Sequence, residues 1–111
     1  MVAARLDADG EADAARFRAL ADPLRRRILE RLVAAPASAG ELARSLGLPR
    51  VNVTHHLGVL AAAGLVDQRQ RQAAVRPEAL TRLRRYFDVA LTIAAIGSAD
   101  GLPPVANVTQ S

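Results

Sequence analysis

Residues 38–64 read SAGELARSLGLPRVNVTHHLGVLAAAG, and the punctuation of that run spells two short helices joined by a tight turn. Ser38 and Glu41 stand at capping-box spacing, where the serine hydroxyl and the glutamate carboxylate each satisfy a backbone N–H that the first helical turn leaves open. Leu42 and Leu46 form an apolar i, i+4 pair, and Gly47 ends the helix. Pro49, its ring already near helical φ, opens the next helix. That helix turns Val53, Leu57 and Leu60 inward until Gly64 supplies a left-handed C-cap. A helix, a glycine-containing turn and a second helix form the layout of the helix-turn-helix, whose second helix enters the major groove of DNA.

The wheel of the second helix agrees. With Val53, Leu57 and Leu60 facing the core, a step of about 100° per residue puts Val51, Asn52, His55 and Val59 on the far side and Thr54 and Gly58 at its edge. Asn52 and His55 carry groups that hydrogen-bond base edges, Val51 and Val59 suit a thymine methyl, and Thr54 and Arg50 suit phosphate oxygens. His55 and His56 diverge by about 100° and cannot chelate one ion together, because a helical pair needs i, i+4 spacing. His56 flanks the core and reads as a packed, hydrogen-bonded residue.

Before this run, Asp22-Pro23 couples a capping carboxylate to a ring at helical φ, so a helix starts there and runs to about Ala35, where Pro36 stops it. Leu24, Ile28, Leu29 and Leu32 are its inward side. Arg25, Arg26 and Arg27 near its start either touch a nucleic-acid backbone or belong to a solvated face. An earlier helix spans about 11–21, with Ala15, Phe17, Ala19 and Leu20 apolar, behind a flexible acidic arm at 1–10. After the run, Pro77 opens a last helix ending near Gly97. It bears two apolar stripes, one of Leu80, Leu83, Phe87, Leu91 and Ala94, the other of Tyr86, Val89, Ile93 and Ile96. One is expected to meet the core and the other a partner subunit, with Phe17 helping. Residues 98–111 are polar and Pro-rich, the composition of a disordered tail.

At 111 residues the chain has the size of one domain. Its aromatics are only Phe17, Tyr86 and Phe87, so the core falls to Leu, Val, Ile and Ala, a composition that favours packed helices. All 15 basic residues are arginine, and residues 14–99 hold 14 of them against six acids. A basic body of that kind suits a polyanion, since each arginine that neutralises a phosphate releases counterions. Arginine-rich solvated surface is the plainer alternative. There is no cysteine, which excludes disulfides, thiolate metal sites and thiol catalysis. The polar, acidic start and an apolar run around 89–96 far short of the roughly 18 residues of a membrane span indicate neither export nor insertion. A cytoplasmic location is expected.

Three stretches, FRALADPLRRRILERL, ELARSLGLPRVNVTHHLGVLAAAGLV and RPEALTRLRRYFD, resemble the ArsR/SmtB family of bacterial winged-helix regulators, in register over about residues 17–88. The most specific part is VNVTHHLGVLAAAGLV, similar to the family's recognition helix and its exit. The resemblance implies a homodimer on an inverted-repeat operator, usually a repressor released by a ligand.

Three departures bear on that. Where the family often carries a cysteine-containing metal motif, the third helix has Glu41-Leu42-Ala43-Arg44-Ser45-Leu46, so the thiolate site is absent. The family also uses sites at the dimer interface, for which Asp7, Asp9 and Asp13 with Asp88 are the candidates here; an oxygen-only set holds a hard or borderline ion weakly. No cofactor is required, and Ni(II) or another divalent metal is the ligand class to test, since some cysteine-poor members sense nickel; a solvated acidic arm accounts for the same acids. The wing has 12 residues, 65–76, and no turn glycine, so the expectation is a shortened or missing hairpin, with Arg69 and Arg71 reaching phosphate or the minor groove from an irregular loop. Pro49 stands where members often have a serine cap.

The expected fold is therefore mostly all-α, a winged helix-turn-helix domain at 11–97 with five helices, a shortened or missing β-wing, and dimerisation through the first and last helices. The expected partners are double-stranded DNA and a second copy of the chain. The rival is a protein-interaction module that needs a second regulatory protein for sensing or DNA binding. Nothing in the residues speaks for an enzyme, because no nucleophile stands in a recognised setting and no phosphate loop is present.

Overall fold

The computed structural model describes residues 2–99, with side chains described over 10–97. In order come α1 (Val2–Leu20), α2 (Pro23–Ala34), α3 (Ala39–Leu46), α4 (Arg50–Ala62), β1 (Val66–Arg69), β2 (Gln72–Val75) and α5 (Pro77–Ala99). The chain divides into two compact units, residues 1–80 and residues 81–111. Most of the tail expected at 98–111 lies outside the described residues. No described helix is long and apolar enough to cross a membrane.

Local chemistry accounts for most boundaries. Asp22 caps α2, its Oδ1 accepting from the Leu24 amide at 2.7 Å and the Arg25 amide at 3.3 Å, which satisfies donors the first turn leaves open. The capping box forms at α3: the Ser38 amide donates to Glu41 Oε1 at 2.8 Å and the Glu41 amide to Ser38 Oγ at 3.1 Å. Gly47, at φ 66°, takes the left-handed cap and donates to the Ala43 carbonyl. Beyond α4, Gly64 has φ 76°. Arg50 begins α4, and Pro49 before it contributes no side-chain cap.

Within residues 1–80 the core lies between α2, α3, α4 and the hairpin. Ile28, Leu32, Leu42, Val53, Leu57, Leu60, Leu65, Val66 and Ala73 are buried there, each large aliphatic stabilising the fold by about 1.5–3 kcal/mol over an exposed position. Leu24 and Leu46, read as core residues, are half-buried.

Three features differ from the sequence reading. The backbone of α1 is helical from Val2, ahead of the expected start at Glu11; the alanine-rich 2–10 segment has the propensity for it. The wing is a true hairpin, short but paired, with antiparallel register Val66↔Val75 through Arg69↔Gln72. Its two-residue turn has no glycine: Gln70 and Arg71 take φ of 52° and 65°, the left-handed pair that such a tight turn demands. The hairpin tolerates this strain because Ala73 also exchanges backbone hydrogen bonds with Ala37, at 3.0 and 2.8 Å, adding a short third edge. Finally, both stripes of α5 are largely exposed in its distal half. Phe87 and Leu91 are 52% and 68% exposed, alongside Tyr86, Val89, Ile93 and Ile96 at 53–64%.

Candidate nucleic-acid interface

The packing of α4 decides what it can offer outward. Val53, His56, Leu57 and Leu60 are buried, so the free face presents Val51, Asn52, Thr54 and His55, all exposed, with Gly58 beside them. Val51, 74% exposed, is an apolar residue with no partner in the core. Val59, read as part of the same face, is half-buried and lines a shallow groove of about 310 Å³ with Ala15, Arg18, Ala19, Arg25, Ala62 and Ala63. The structure groups it with α1 instead of with Asn52.

Beside that face lies a second hollow of about 440 Å³, bounded by the start of α3, by α4 and by the wing. Arg50, Thr54 and Arg71, three of the residues read as phosphate contacts, line it together, and Ser38, Gln68 and Gln72 complete its polar rim. The Gln72 side chain donates through Nε2 to Glu41 Oε1 at 3.4 Å, tying the wing to the capping box. Glu41 is held below its ordinary carboxylate range, first by the Ser38 amide and then by the Ser38 hydroxyl. At nearby Gly40 a Cβ would lie 3.4 Å from the Arg44 guanidinium and 3.9 Å from that of Arg50, ordinary contact distances. Gln68 and Gln72 were missed in the sequence. Both needed the hairpin register to be seen. Arg69 ends β1 and is exposed.

Not every arginine is free to meet an anion. Arg76 bonds Glu78 at 2.8 Å and lies 3.7 Å from Asp67, and the hydrogen bond to Glu78, then the charge of Asp67, raises its already high pKa. Arg25, Arg26 and Arg27 all turn to protein backbone. Arg26 donates to the Leu20 and Ala21 carbonyls at 2.7 and 3.2 Å, Arg27 to the Leu46 carbonyl at 3.3 Å, and Arg25 to the Ala19 carbonyl. They cap the C-terminal ends of α1 and α3, where unsatisfied carbonyls concentrate negative partial charge.

Two of the carboxylates read as metal ligands have arginine partners on their own helix. Asp13 pairs with Arg16 at 3.3 Å, Asp88 with Arg84 at 3.9 Å, and the side chains of Asp7 and Asp9 lie outside the described residues. Among the described residues no three His, Asp or Glu groups come together at metal-binding distance. Of the residues read as a dimer surface, Tyr86, Val89, Ile93 and Ile96 are exposed and Phe17 is half-buried.

Comparison with known proteins follows this geometry closely. Residues 20–69 match a family described as a helix-turn-helix domain. The chain is 42% identical over 87 residues to the HTH-type transcriptional regulator Rv2034 of Mycobacterium tuberculosis, covering 75% of this chain and 81% of that protein. The crystal structure of the ArsR family transcriptional regulator RHA00566 superposes with a TM-score of 0.68 at 27% identity, over 74% of this chain and 94% of that one. The homodimeric winged helix-turn-helix DNA-binding domain Mb0332 from Mycobacterium bovis, a possible ArsR-family regulator, gives 0.63 at 26% identity, over 81% and 83%.

Proposed function

The chain belongs to the ArsR/SmtB family of winged helix-turn-helix DNA-binding transcription regulators, and from that premise we propose that it acts as a homodimer on an inverted-repeat DNA site, reading it with α4 and clamping its backbone with the wing. The observation that carries the reading is the pairing of an exposed, lightly charged α4 face with the arginine-lined hollow next to it. Asn52 and His55 offer donors and acceptors to base edges in the major groove. Val51 meets a thymine methyl. Arg50, Arg71 and Thr54 hold phosphates, which fix register without carrying sequence information, and Arg69 adds charge from the wing.

Two copies are required because one α4 reads only a half-site, and a two-fold protein places its reading helices about one helical turn, roughly 34 Å, apart. The bare apolar surface of distal α5 supports that pairing, as does the homodimeric state of Mb0332. Phe17 of α1, half-buried, is assigned to self-association as well. The DNA-binding reading itself needs no ion.

The test is a titration of purified protein against a labelled duplex from its own upstream region and against random DNA, at two salt concentrations, with chelator and then with added nickel. Tight, salt-dependent, sequence-selective binding that chelator leaves intact is the expected result. A shift with nickel would give the ligand class of the sensor and place its ligands beyond the described set. Equal weak binding to both duplexes would instead favour an interaction module completed by a second regulatory protein.

A further inference from the structure

Apolar packing holds α4 in place through a force that is itself non-directional. One polar contact supplies direction. The Arg25 guanidinium reaches the Nδ1 of His56 at 3.3 Å, and the same group donates to the Ala19 carbonyl and, at 3.5 Å, to the Arg18 carbonyl, with the Asp22 carboxylate 3.8 Å away. His56 is the one buried polar side chain among the described residues, 9% exposed. A guanidinium only donates, so Nδ1 must accept and the imidazole proton sits on Nε2. Three elements thus meet at one planar fork: the end of α1, the cap of α2 and the back of α4.

The position of His56 gives this contact its consequence. Asn52 is its i−4 neighbour, one turn away on the same side of α4, where the buried side gives way to the reading face. A roll that moves His56 from Arg25 moves Asn52 equally. Resting on the DNA-binding reading above, we propose that Arg25 is a positioning residue for sequence readout: acting through neutral His56, it sets the roll of α4 against the end of α1 and so the angle at which Asn52 meets a base edge. A lysine cannot replace it, since a single ammonium lacks the fork that reaches carbonyl and imidazole together.

The experiment compares wild type, Arg25→Lys, His56→Leu and His56→Asn, the last keeping an acceptor near the place of Nδ1, for affinity to the selected duplex and to random DNA, with thermal unfolding as a check on folding. Arg25→Lys and His56→Leu should lower the ratio of specific to random affinity about tenfold while leaving random binding unchanged, the loss of one charge-assisted hydrogen bond, and His56→Asn should restore most of it. Nitrogen-15 spectra of the imidazoles, recorded without DNA, should show His56 protonated at Nε2 in the wild type. A wild type that selects no sequence overturns the DNA reading and this proposal with it. A selective wild type whose ratio is unmoved in both folded variants, or a His56 protonated at Nδ1, overturns the positioning role alone.

Discussion

Helices α4 and α5 are both rich in large apolar residues, yet they dispose of them in opposite ways. In α4 the chain itself covers Val53, Leu57 and Leu60 and leaves only Val51 bare; in distal α5 six large apolar residues from Tyr86 to Ile96 stay more than half exposed. A monomer seldom tolerates so continuous an apolar surface. Periodicity in the sequence therefore reports that a face will be covered, without saying by which chain. For α4 the cover is intramolecular and, on the reading proposed above, the uncovered side is left for DNA; for α5 the same reading assigns the cover to a second copy.

The sharpest way to break this contrast is Ile93→Asp, which puts a charge into the face assigned to the partner. It should convert the protein to a monomer in sedimentation velocity and, by removing two-point attachment, lower affinity for the two-fold site by about 10²–10⁴, while the helix content of the chain survives. Leu57→Ala on α4 should do the reverse, costing about 2–5 kcal/mol in chemical denaturation through the cavity it opens, with little effect on self-association. On the free side of α4, Asn52→Ala should cost about 1–3 kcal/mol at a single base position, whereas Arg71→Ala should weaken binding to every sequence and reduce the salt slope by about one. Equal losses for Asn52→Ala on specific and random DNA would remove its reading role. In the wing, Gln70→Gly should raise stability by about 1 kcal/mol, measured by thermal unfolding, by relieving one left-handed residue.

The smallest expected effect is an acid one. The Ser38 bonds hold the Glu41 carboxyl below its ordinary value of 4.5, so the folded chain binds fewer protons there than the unfolded chain does. That stabilisation is present above about pH 4.5 and is lost as pH falls through the lower folded value. Glu41→Gln keeps the shape of the capping box and should flatten this part of the acid limb in a pH series of thermal unfolding curves. Asp22 titrates in the same direction: burial opposes the shift, but the Leu24 and Arg25 amides and the Arg25 charge outweigh it.

Much of the helical frame was legible because its boundaries are local events. Asp22-Pro23, the Ser38–Glu41 box and Gly47 each act within four residues, and each forms as their chemistry dictates. The exposed set Asn52, Thr54 and His55 followed from a wheel anchored on three leucine and valine positions. What was not legible depended on long-range partners. Gln70-Arg71 carries no turn signal, and only pairing of the flanking strands, braced by Ala37, forces it into the left-handed region. Arg25, Arg26 and Arg27 read as candidate phosphate contacts until the ends of α1 and α3 arrived beside them. Val59 left the reading face because α1 packs along that side of α4.

Arg71 has a double life at the hairpin tip. Its backbone sits where a glycine would fold more easily, while its side chain reaches into the hollow where a glycine could hold nothing. Selection for a stable domain and selection for a tight operator therefore pull on the same codon in opposite directions. A descendant of this protein freed from DNA binding would be expected to drift toward glycine at this position early, making residue 71 a marker of whether the wing is still in use.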